Sequence, residues 1–273
     1  MLKLAFIGAG NMSSSMVGGL GSTSEFGPVL MADRNQDKLD RLSQLYQTET
    51  AANNQDAALR ADVLVLAVKP QGLKDLCLQI RSEVQEKKPL IISVAAGVTA
   101  EAIEYWLGGD LAVIRSMPNI PSKIQMGMTG LFANDHVSNE QKKIAEVLCK
   151  SIGEFIWLSK EHDMHALTAV SGSGPAYFFL FMEAMHKSAK SLGLQSDEAL
   201  KLVVQTALGA AEMVKAGDSS PEALKESVMS PNGTTEQAIR SFEQDGLRPM
   251  VQQAMIACLK RSETMAEELS SKE

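Results

Sequence analysis

Two glycines and a serine follow the first apolar run of the chain in an order typical of a phosphate-binding loop. Gly8 and Gly10 come directly after the run Leu4–Ile7, and an apolar helical stretch follows them. The first glycine permits a tight turn, and the second lets backbone approach a pyrophosphate bound at the helix N-terminus. Ser13 stands where a third glycine is usual, and a residue this small still permits close packing of helix and strand. The loop therefore predicts dinucleotide binding, with a purely structural turn as the alternative.

Two charged residues after the second apolar run bear on which dinucleotide binds. Asp33 lies about 20 residues beyond the loop, where a carboxylate binds the ribose 2′-hydroxyl of NAD. Arg34 can instead pair with the 2′-phosphate of NADP through a charge-assisted bidentate contact. The stronger contact favours NADPH if Asp33 turns away, and NADH binding or a plain surface turn are the alternatives.

The ends of three further apolar runs are marked by small residues or prolines. They are the segments Ala67–Pro70, Ser93–Gly97 and Met117–Pro121. Ligands bind at the carboxyl ends of strands in open α/β sheets. Each segment alone is explained by strand termination, but together they predict a cofactor crevice along one edge.

Two motifs in the second half of the chain are rich in hydrogen-bond donors. Ser171–Pro175 precedes an apolar helical stretch, and its proline suits the first helical position while its serines and glycines leave donors free. In the second motif, Thr234 and Gln237 match a capping box, which predicts an ordinary helix start. Gly233, Thr234 and Thr235 would also present amides and hydroxyls at that helix start, as a substrate carboxylate requires.

Hydrophobic periodicity predicts the elements that position these groups. Six short apolar runs alternate with amphipathic stretches, such as Asp37–Tyr46, in the first half of the chain. Runs that are continuous rather than alternating indicate strands of a parallel sheet covered on both faces. The predicted strands are Leu4–Ile7, Val29–Ala32, Val63–Val68, Leu90–Val94, Ala112–Ile114 and Thr129–Ala133.

The pattern changes near residue 160, where strand-like runs give way to long helical stretches rich in alanine and methionine. The sequence therefore predicts an α/β dinucleotide-binding domain at residues 1–159 and an all-α domain at residues 160–273. Ala176–Met185 is apolar almost all round, which predicts a central buried helix whose enclosure needs a partner subunit. Glu198–Val214 and Arg248–Leu269 are two further predicted helices.

Composition excludes several classes of protein. The 273 residues carry a net charge of −7 without a dense Lys/Arg run, which argues against nucleic-acid and membrane-surface partners. No apolar stretch is long enough to span a membrane, and the N-terminus lacks an export signal, so a cytoplasmic location is expected.

Cys77, Cys149 and Cys258 are predicted to be reduced core thiols. His162 and His165 lack partners at metal-ligand spacing, so no metal site is predicted.

Taken in order along the chain, the motifs resemble one known family. They are Gly8-Ala-Gly-Asn-Met12, Ala67-Val-Lys-Pro-Gln71, Ala96-Gly97, Arg115-Ser-Met-Pro-Asn119, Ser171-Gly-Ser-Gly-Pro-Ala-Tyr177 and Ser230-Pro-Asn-Gly-Thr-Thr235. This set resembles the pyrroline-5-carboxylate reductase family over about residues 3–260. The resemblance implies a Rossmann domain, a helical domain that interleaves with a second subunit, and NAD(P)H-dependent reduction of pyrroline-5-carboxylate to proline. It also implies a homodimer or a larger assembly such as a ring of dimers.

The resemblance assigns site residues position by position. The cofactor residues it implies are Gly8, Ala9, Gly10, Asn11, Met12, Arg34, Asn54, Ala67, Val68, Lys69, Pro70, Val94, Ala95 and Ala96. The substrate residues it implies are Glu161, Ser230, Gly233, Thr234 and Thr235, with Thr235 also the candidate donor near the ring nitrogen. Asn232 departs from the commoner pattern, which has glycine there.

Two other classes also fit parts of the pattern. A β-hydroxyacid dehydrogenase joins a Rossmann domain to a helical one, but carries a catalytic lysine on the first long helix of the second domain. Ala176–Met185 contains no lysine, and Lys187 is the first after it. A non-catalytic dinucleotide-binding scaffold is the third possibility, in which the two donor-rich motifs serve only as helix caps.

Overall fold

The computed structural model describes residues 1–21 and 25–270, and within them eight strands form one sheet. The strand order is β3-β2-β1-β4-β5-β6-β7-β8. β6 and β7 pair antiparallel, and the other neighbouring pairs are parallel. The strands are β1 (Leu4–Ile7), β2 (Leu30–Ala32), β3 (Glu49–Thr50), β4 (Val63–Leu66), β5 (Leu90–Ser93), β6 (Val113–Met117), β7 (Gly127–Ala133) and β8 (Gly153–Trp157).

The chain reverses its direction of travel across the sheet after β3. It runs from β1 outward through β2 to β3, and then crosses back to place β4 on the other side of β1. The carboxyl ends of β1 and β4 therefore border the crevice in which open α/β sheets bind ligands. The predicted parallel α/β sheet is confirmed, and its six predicted strands all form.

Helices cover both faces of this sheet, as the continuous apolar runs predict. In β1, Leu4 and Phe6 pack into one core, whereas Ala5 and Ile7 pack into the core on the opposite face. The helices of this part are α1 (Asn11–Leu20), α2 (Gln36–Tyr46), α3 (Asn54–Arg60), α4 (Leu73–Gln79), α5 (Arg81–Lys87), α6 (Ala100–Leu107) and α7 (Asn139–Lys150), with 3₁₀ turns at Pro70–Gly72 and Ile120–Ile124.

The chain beyond residue 160 is helical, also as predicted. A π-helical turn at Thr168–Gly172 connects the first two of these helices. They are α8 (Asp163–Leu167), α9 (Gly174–Ser191), α10 (Ser196–Ala216), α11 (Pro221–Ser227), α12 (Thr234–Gln244) and α13 (Leu247–Leu269).

The chain divides into two compact units. One, the sheet unit, contains Met1–Ser173 and Cys258–Glu273, and the other, the helical unit, contains Gly174–Ala257. The boundary at residues 159 and 160 follows the change from strands to helices and stays a prediction. Across residues 1–21 and 25–270, no helix has the length and apolar character needed to cross a lipid bilayer.

The apolar helix α9 is exposed in the single chain, which agrees with the prediction that its enclosure needs a partner subunit. In α9, Phe178, Phe179 and Leu180 are 67%, 57% and 66% exposed. The helical unit has too few elements to surround a helix that is apolar on all sides.

The three cysteines are free thiols. Cys77 and Cys149 are buried, and burial raises the pKa of each to about 12, so both are inert at neutral pH. Cys258 is half-buried, with its Sγ 3.2 Å from Ser173 Oγ. The core prediction is thus confirmed for two thiols and only partly met by the third.

Candidate active site

The glycine loop after β1 is fixed by the strand ends on either side of it. The Gly8 N–H donates to the Ala32 carbonyl at 2.7 Å. Gly8 has φ +108°, and a Cβ there would lie 2.4 Å from the Ala67 carbonyl oxygen. Because the backbone after β4 leaves no space for a side chain and φ is positive, only glycine allows the chain to turn here.

Open space lies above the N-terminus of α1. Gly10 is the N-cap, no side chain caps the helix, and its first turn contains no acidic residue. A Cβ at Gly10 would meet no atom within 4 Å. Ser13 is fully buried and donates its hydroxyl back to the Gly8 carbonyl, which closes the loop from below. The first amides of α1 therefore have space in front of them for an anionic group, as a pyrophosphate site requires.

The carboxylate of Asp33 ties the end of β2 to the glycine loop. Its Oδ2 accepts the Ala9 N–H at 2.7 Å, and its Oδ1 accepts the Asn35 N–H at 2.9 Å. Each carboxylate oxygen of Asp33 thus has a backbone partner within the protein. Arg34 is exposed on the same strand end. This is the arrangement in which Asp33 is turned toward the protein and Arg34 toward solvent.

The ends of β4 and β5 lie beside this loop. Ala67 donates its N–H to Ile7 at 2.8 Å, and Val94 donates to Leu66 at 3.2 Å, so the two predicted wall segments follow adjacent strands. The end of the last helix reaches the second segment. Ser270 Oγ accepts the Thr99 N–H at 3.1 Å and donates to the Gly97 carbonyl at 3.3 Å. Val94 is thus fixed to β4, and the residues that follow Ala96 are fixed to Ser270.

Asn54 begins α3, and its Nδ2 donates to Gln79 Oε1 on α4 at 3.0 Å. Its predicted contact with the adenosine side of the cofactor stays a prediction. A side-chain amide also has a second N–H and an acceptor oxygen, so this hydrogen bond does not prevent a contact with a nucleotide.

Glu161, which is half-buried, forms an ion pair with a buried arginine. Its Oε1 lies 3.1 Å from Arg115 Nη1 and accepts the Ala100 N–H at 2.7 Å. Arg115 is only 2% exposed. Burial is the largest influence and lowers the pKa of Arg115, whereas the charge of Glu161 and its hydrogen bond act in the opposite direction. These contacts give Glu161 a structural role, and its implied role in substrate binding stays a prediction.

The Ser171–Pro175 motif leads into α9 as the sequence predicts, but Pro175 is the second residue of the helix rather than the first. It lies at the end of a π-helical turn and runs into α9, which begins at Gly174. Ser171 Oγ donates to the Leu167 carbonyl at 3.2 Å, and the Ser173 N–H donates to Thr168 at 2.8 Å. The expectation of free donors is therefore wrong for the Ser171 hydroxyl and the Ser173 N–H, because backbone carbonyls of the preceding helical residues accept both.

One buried side chain connects two of the sequence motifs. Asn119 donates from Nδ2 to the Ser171 carbonyl at 2.9 Å and accepts the Met128 N–H at 2.9 Å on Oδ1. The sequence marks Asn119 only as part of a strand end. The side chain thereby fixes the π-helical turn to β7, a positioning role that no spacing rule predicts.

In the helical unit, residues 230–235 form a tight turn that leads into α12. The Gly233 N–H donates to the Ser230 carbonyl at 2.8 Å, with Pro231 and Asn232 between them. Asn232 has φ +59°, and asparagine tolerates this left-handed region. Proline followed by a residue with positive φ is typical of a type II turn. Asparagine thus keeps the turn that glycine would make.

The predicted capping box is wrong. Helix α12 begins at Thr234, its N-cap is Gly233, and no side chain of the described residues caps it. Because the helix starts one residue earlier than a Thr234 cap would require, Gln237 is not at the reciprocal position. Instead Glu236 Oε2 accepts the Asn232 N–H at 2.6 Å. The first amides of α12 are therefore open to a ligand.

No three His, Cys, Asp or Glu side chains in the described part of the chain cluster as metal ligands would. His165 is buried, with Nδ1 2.9 Å from Ser262 Oγ, and its ring lies edge-on to His162 at 5.3 Å. Burial, followed by the charge of Arg115, lowers the pKa of His165. The histidine is a neutral, hydrogen-bonded core residue at neutral pH.

The sheet order, the switch in direction beside β1 and the glycine loop on an uncapped helix define a Rossmann-type dinucleotide-binding protein. A family model described as NADP oxidoreductase, coenzyme F420-dependent, matches residues 3–97. A model described as pyrroline-5-carboxylate reductase dimerisation matches residues 161–265.

Full-length relatives identify the family. A pyrroline-5-carboxylate reductase of Pseudomonas aeruginosa is 41% identical over 268 residues, which is 98% of each chain. The solved structure of a pyrroline-5-carboxylate reductase from Coxiella burnetii is 41% identical with a TM-score of 0.92, covering 97% of this chain and 98% of that one. A Plasmodium falciparum pyrroline carboxylate reductase with NADP bound is 28% identical with a TM-score of 0.85, covering 97% and 98%. The chain belongs to the pyrroline-5-carboxylate reductase family.

Proposed function

We propose that this protein is a pyrroline-5-carboxylate reductase, an NAD(P)H-dependent oxidoreductase that reduces the C=N bond of 1-pyrroline-5-carboxylate to give L-proline. This reaction is the last step of proline biosynthesis. The observation that supports it most is the match along 98% of the chain to a reductase of that name. That match includes both the glycine loop and the donor-rich turn before α12.

The glycine loop fits a dinucleotide cofactor. The space beside Gly10 and the uncapped start of α1 suit a pyrophosphate, which residues 8–12 would hold. Arg34 is exposed where a 2′-phosphate would lie, and both oxygens of Asp33 have backbone partners, which favours NADPH over NADH. The wall segments Ala67–Pro70 and Val94–Ala96 would face the nicotinamide, which supplies the hydride when bound.

The turn before α12 fits the carboxylate of the substrate. Ser230, Gly233, Thr234 and Thr235 would surround that carboxylate with amides and hydroxyls at a helix N-terminus, where the helix dipole favours a negative charge. The substrate is an imine, so it accepts its proton from solvent and needs no strong acid beside it. Thr235 would orient the ring through its hydroxyl, near the ring nitrogen.

The exposed apolar helix supports a homo-oligomer. Phe178, Phe179 and Leu180 present large apolar surface, and the family model that spans this region is described as a dimerisation domain. We propose an obligate homodimer and, beyond it, a ring of dimers. Light scattering of the purified protein would give at least twice the mass of one chain, and a mass of one chain would contradict the proposal.

A coupled assay tests the activity. Oxidation of NADPH, followed by absorbance with 1-pyrroline-5-carboxylate as substrate, is expected to give turnover and L-proline as the product. Turnover with a β-hydroxyacid instead would indicate the dehydrogenase class, and binding of NADPH without turnover of either substrate would indicate a scaffold. The free thiols fit a reducing compartment such as the cytoplasm.

A further inference from the structure

We infer that Glu236 is a positioning residue that holds the carboxylate-binding turn, residues 230–235, in its binding conformation. The inference rests on the proposed function, because the turn is the proposed substrate site. Glu236 lies in the first turn of α12, at the third helical position, and its side chain folds back onto the turn. Its Oε2 accepts the Asn232 N–H at 2.6 Å.

The turn needs such a support because of the residue at its corner. Asn232 has φ +59°, a region that is less favourable for asparagine than for glycine. Pro231 has no N–H, and the Gly233 N–H is already used to close the turn on Ser230. The Asn232 N–H is therefore the donor through which a side chain can fix the corner, and Glu236 is the acceptor that fixes it.

The placement of Glu236 also decides which donors remain for a ligand. Its carboxylate takes the amide of Asn232, which lies outside the helix, and leaves the amides of Thr234 and Thr235 at the helix start. The second oxygen, Oε1, lies 3.3 Å from Arg240 Nη2 one helical turn away. The pair is exposed at Arg240, so it contributes little to the electrostatic field at the proposed carboxylate site.

A turn fixed before the ligand arrives binds it more tightly than one ordered on binding. Glu236→Ala is expected to raise KM for 1-pyrroline-5-carboxylate and Kd for L-proline by about tenfold, the effect of losing one hydrogen bond to a charged acceptor. The kcat value should change by less than about threefold, since no reacting group is removed. Glu236→Gln keeps an acceptor oxygen and should restore KM to within about threefold of the native value.

Two matched variants separate positioning from general effects of charge. Arg240→Ala removes the ion pair but leaves the bond to Asn232, so KM should stay near its native value. Glu243→Ala removes an exposed carboxylate on the same helix that pairs with Arg248 and should also leave KM unchanged. The Kd for NADPH, measured by isothermal titration calorimetry, should be the same in all four variants.

Hydrogen exchange gives a readout that does not depend on turnover. The Asn232 amide should exchange at least about tenfold faster in Glu236→Ala than in the native protein and Arg240→Ala. A native KM in Glu236→Ala, equal KM values in Glu236→Ala and Glu236→Gln, or unchanged exchange at Asn232 would each overturn the inference. Absence of turnover in the native protein would instead contradict the proposed function, while the exchange comparison would still decide the role of Glu236.

Discussion

Asp33 accepts the backbone N–H of Ala9 at 2.7 Å, and this bond joins the end of β2 to the phosphate-binding loop. The residue that sequence rules assign to the ribose of NAD thus serves first as an anchor of the loop. Asp33→Asn keeps one acceptor oxygen and removes a negative charge near the proposed 2′-phosphate site. We expect its ratio of kcat/KM for NADPH over NADH to rise, and a ratio that does not rise would contradict an effect of this charge on the phosphate.

Asp33→Ala removes both hydrogen bonds, to Ala9 and to Asn35. Because the loop loses its anchor, Kd should rise by roughly tenfold for NADPH and NADH alike. Isothermal titration calorimetry with each nucleotide measures this. A change confined to NADH would instead indicate a direct contact between Asp33 and the ribose.

Arg34→Ala should weaken NADPH selectively. The exposed guanidinium would make a charge-assisted contact with the 2′-phosphate, so Kd for NADPH should rise by about tenfold or more while Kd for NADH changes little. Arg41→Ala, an exposed arginine on the following helix, is the control and should leave both values unchanged. Equal losses for both nucleotides would contradict the assignment.

Alanine substitutions at the two loop glycines should affect different properties, stability at Gly8 and cofactor binding at Gly10. Gly8→Ala places a Cβ 2.4 Å from the Ala67 carbonyl at φ +108°, so the free energy of unfolding should fall by about 1–3 kcal/mol. Gly10→Ala meets no atom within 4 Å and changes only an N-cap, so it should cost at most about 1 kcal/mol. The added Cβ of Gly10→Ala would nevertheless lie in the space proposed for the pyrophosphate, so NADPH should bind more weakly. Thermal unfolding and NADPH titration of both variants separate the two effects.

Glu161→Gln tests the ion pair between Glu161 and Arg115. Removing the charge leaves the buried Arg115 guanidinium without its counter-ion, and the free energy of unfolding should fall by roughly 3 kcal/mol. Glu49→Gln breaks the exposed pairs with Lys3 and Arg60 and should cost less than about 1 kcal/mol. If Glu161→Gln instead raised KM for the substrate at unchanged stability, the implied substrate contact would be its main role.

His165 should make stability depend on pH. Its folded-state pKa lies below the ordinary histidine value, so the unfolded chain binds a proton first as the pH falls. Stability is therefore full above about pH 6.5 and declines as the pH falls below it. The neighbouring groups are Arg115, His162, Glu263 and Glu161. In His165→Gln, Tm should fall less between pH 7 and pH 5.5 than in the native protein, and an equal fall would exclude His165 as the source.

The sheet could be predicted from sequence where its strands are buried on both faces. β1 and β4 are continuous apolar runs because helices cover both sides of them. The apolar runs do not predict β3 or β8. β3 is two polar residues, and β8 alternates half-buried and exposed side chains at the sheet edge. An edge strand leaves one face to solvent, so it lacks the signal used for the others.

Contacts between distant residues account for what the sequence could not predict at the site. Nothing in the spacing of Asp33, Glu161 or Asn119 reveals that they bind Ala9, Arg115 and Ser171. The start of α12 was misplaced because a threonine followed by glutamine fits a capping box as well as it fits a first helical turn. Only the positive φ of Asn232 and the side chain of Glu236 distinguish the two.

The end of the last helix has a consequence for how the protein is made. Ser270 contacts Gly97 and Thr99, which it follows by more than 170 residues in the chain. In the sequence, the helical unit therefore lies between the two segments of the sheet unit, Met1–Ser173 and Cys258–Glu273. The loop after β5 therefore takes its native contacts only after Ser270 has been synthesised and has left the ribosome, so this loop lacks those two hydrogen bonds while the intervening residues are translated.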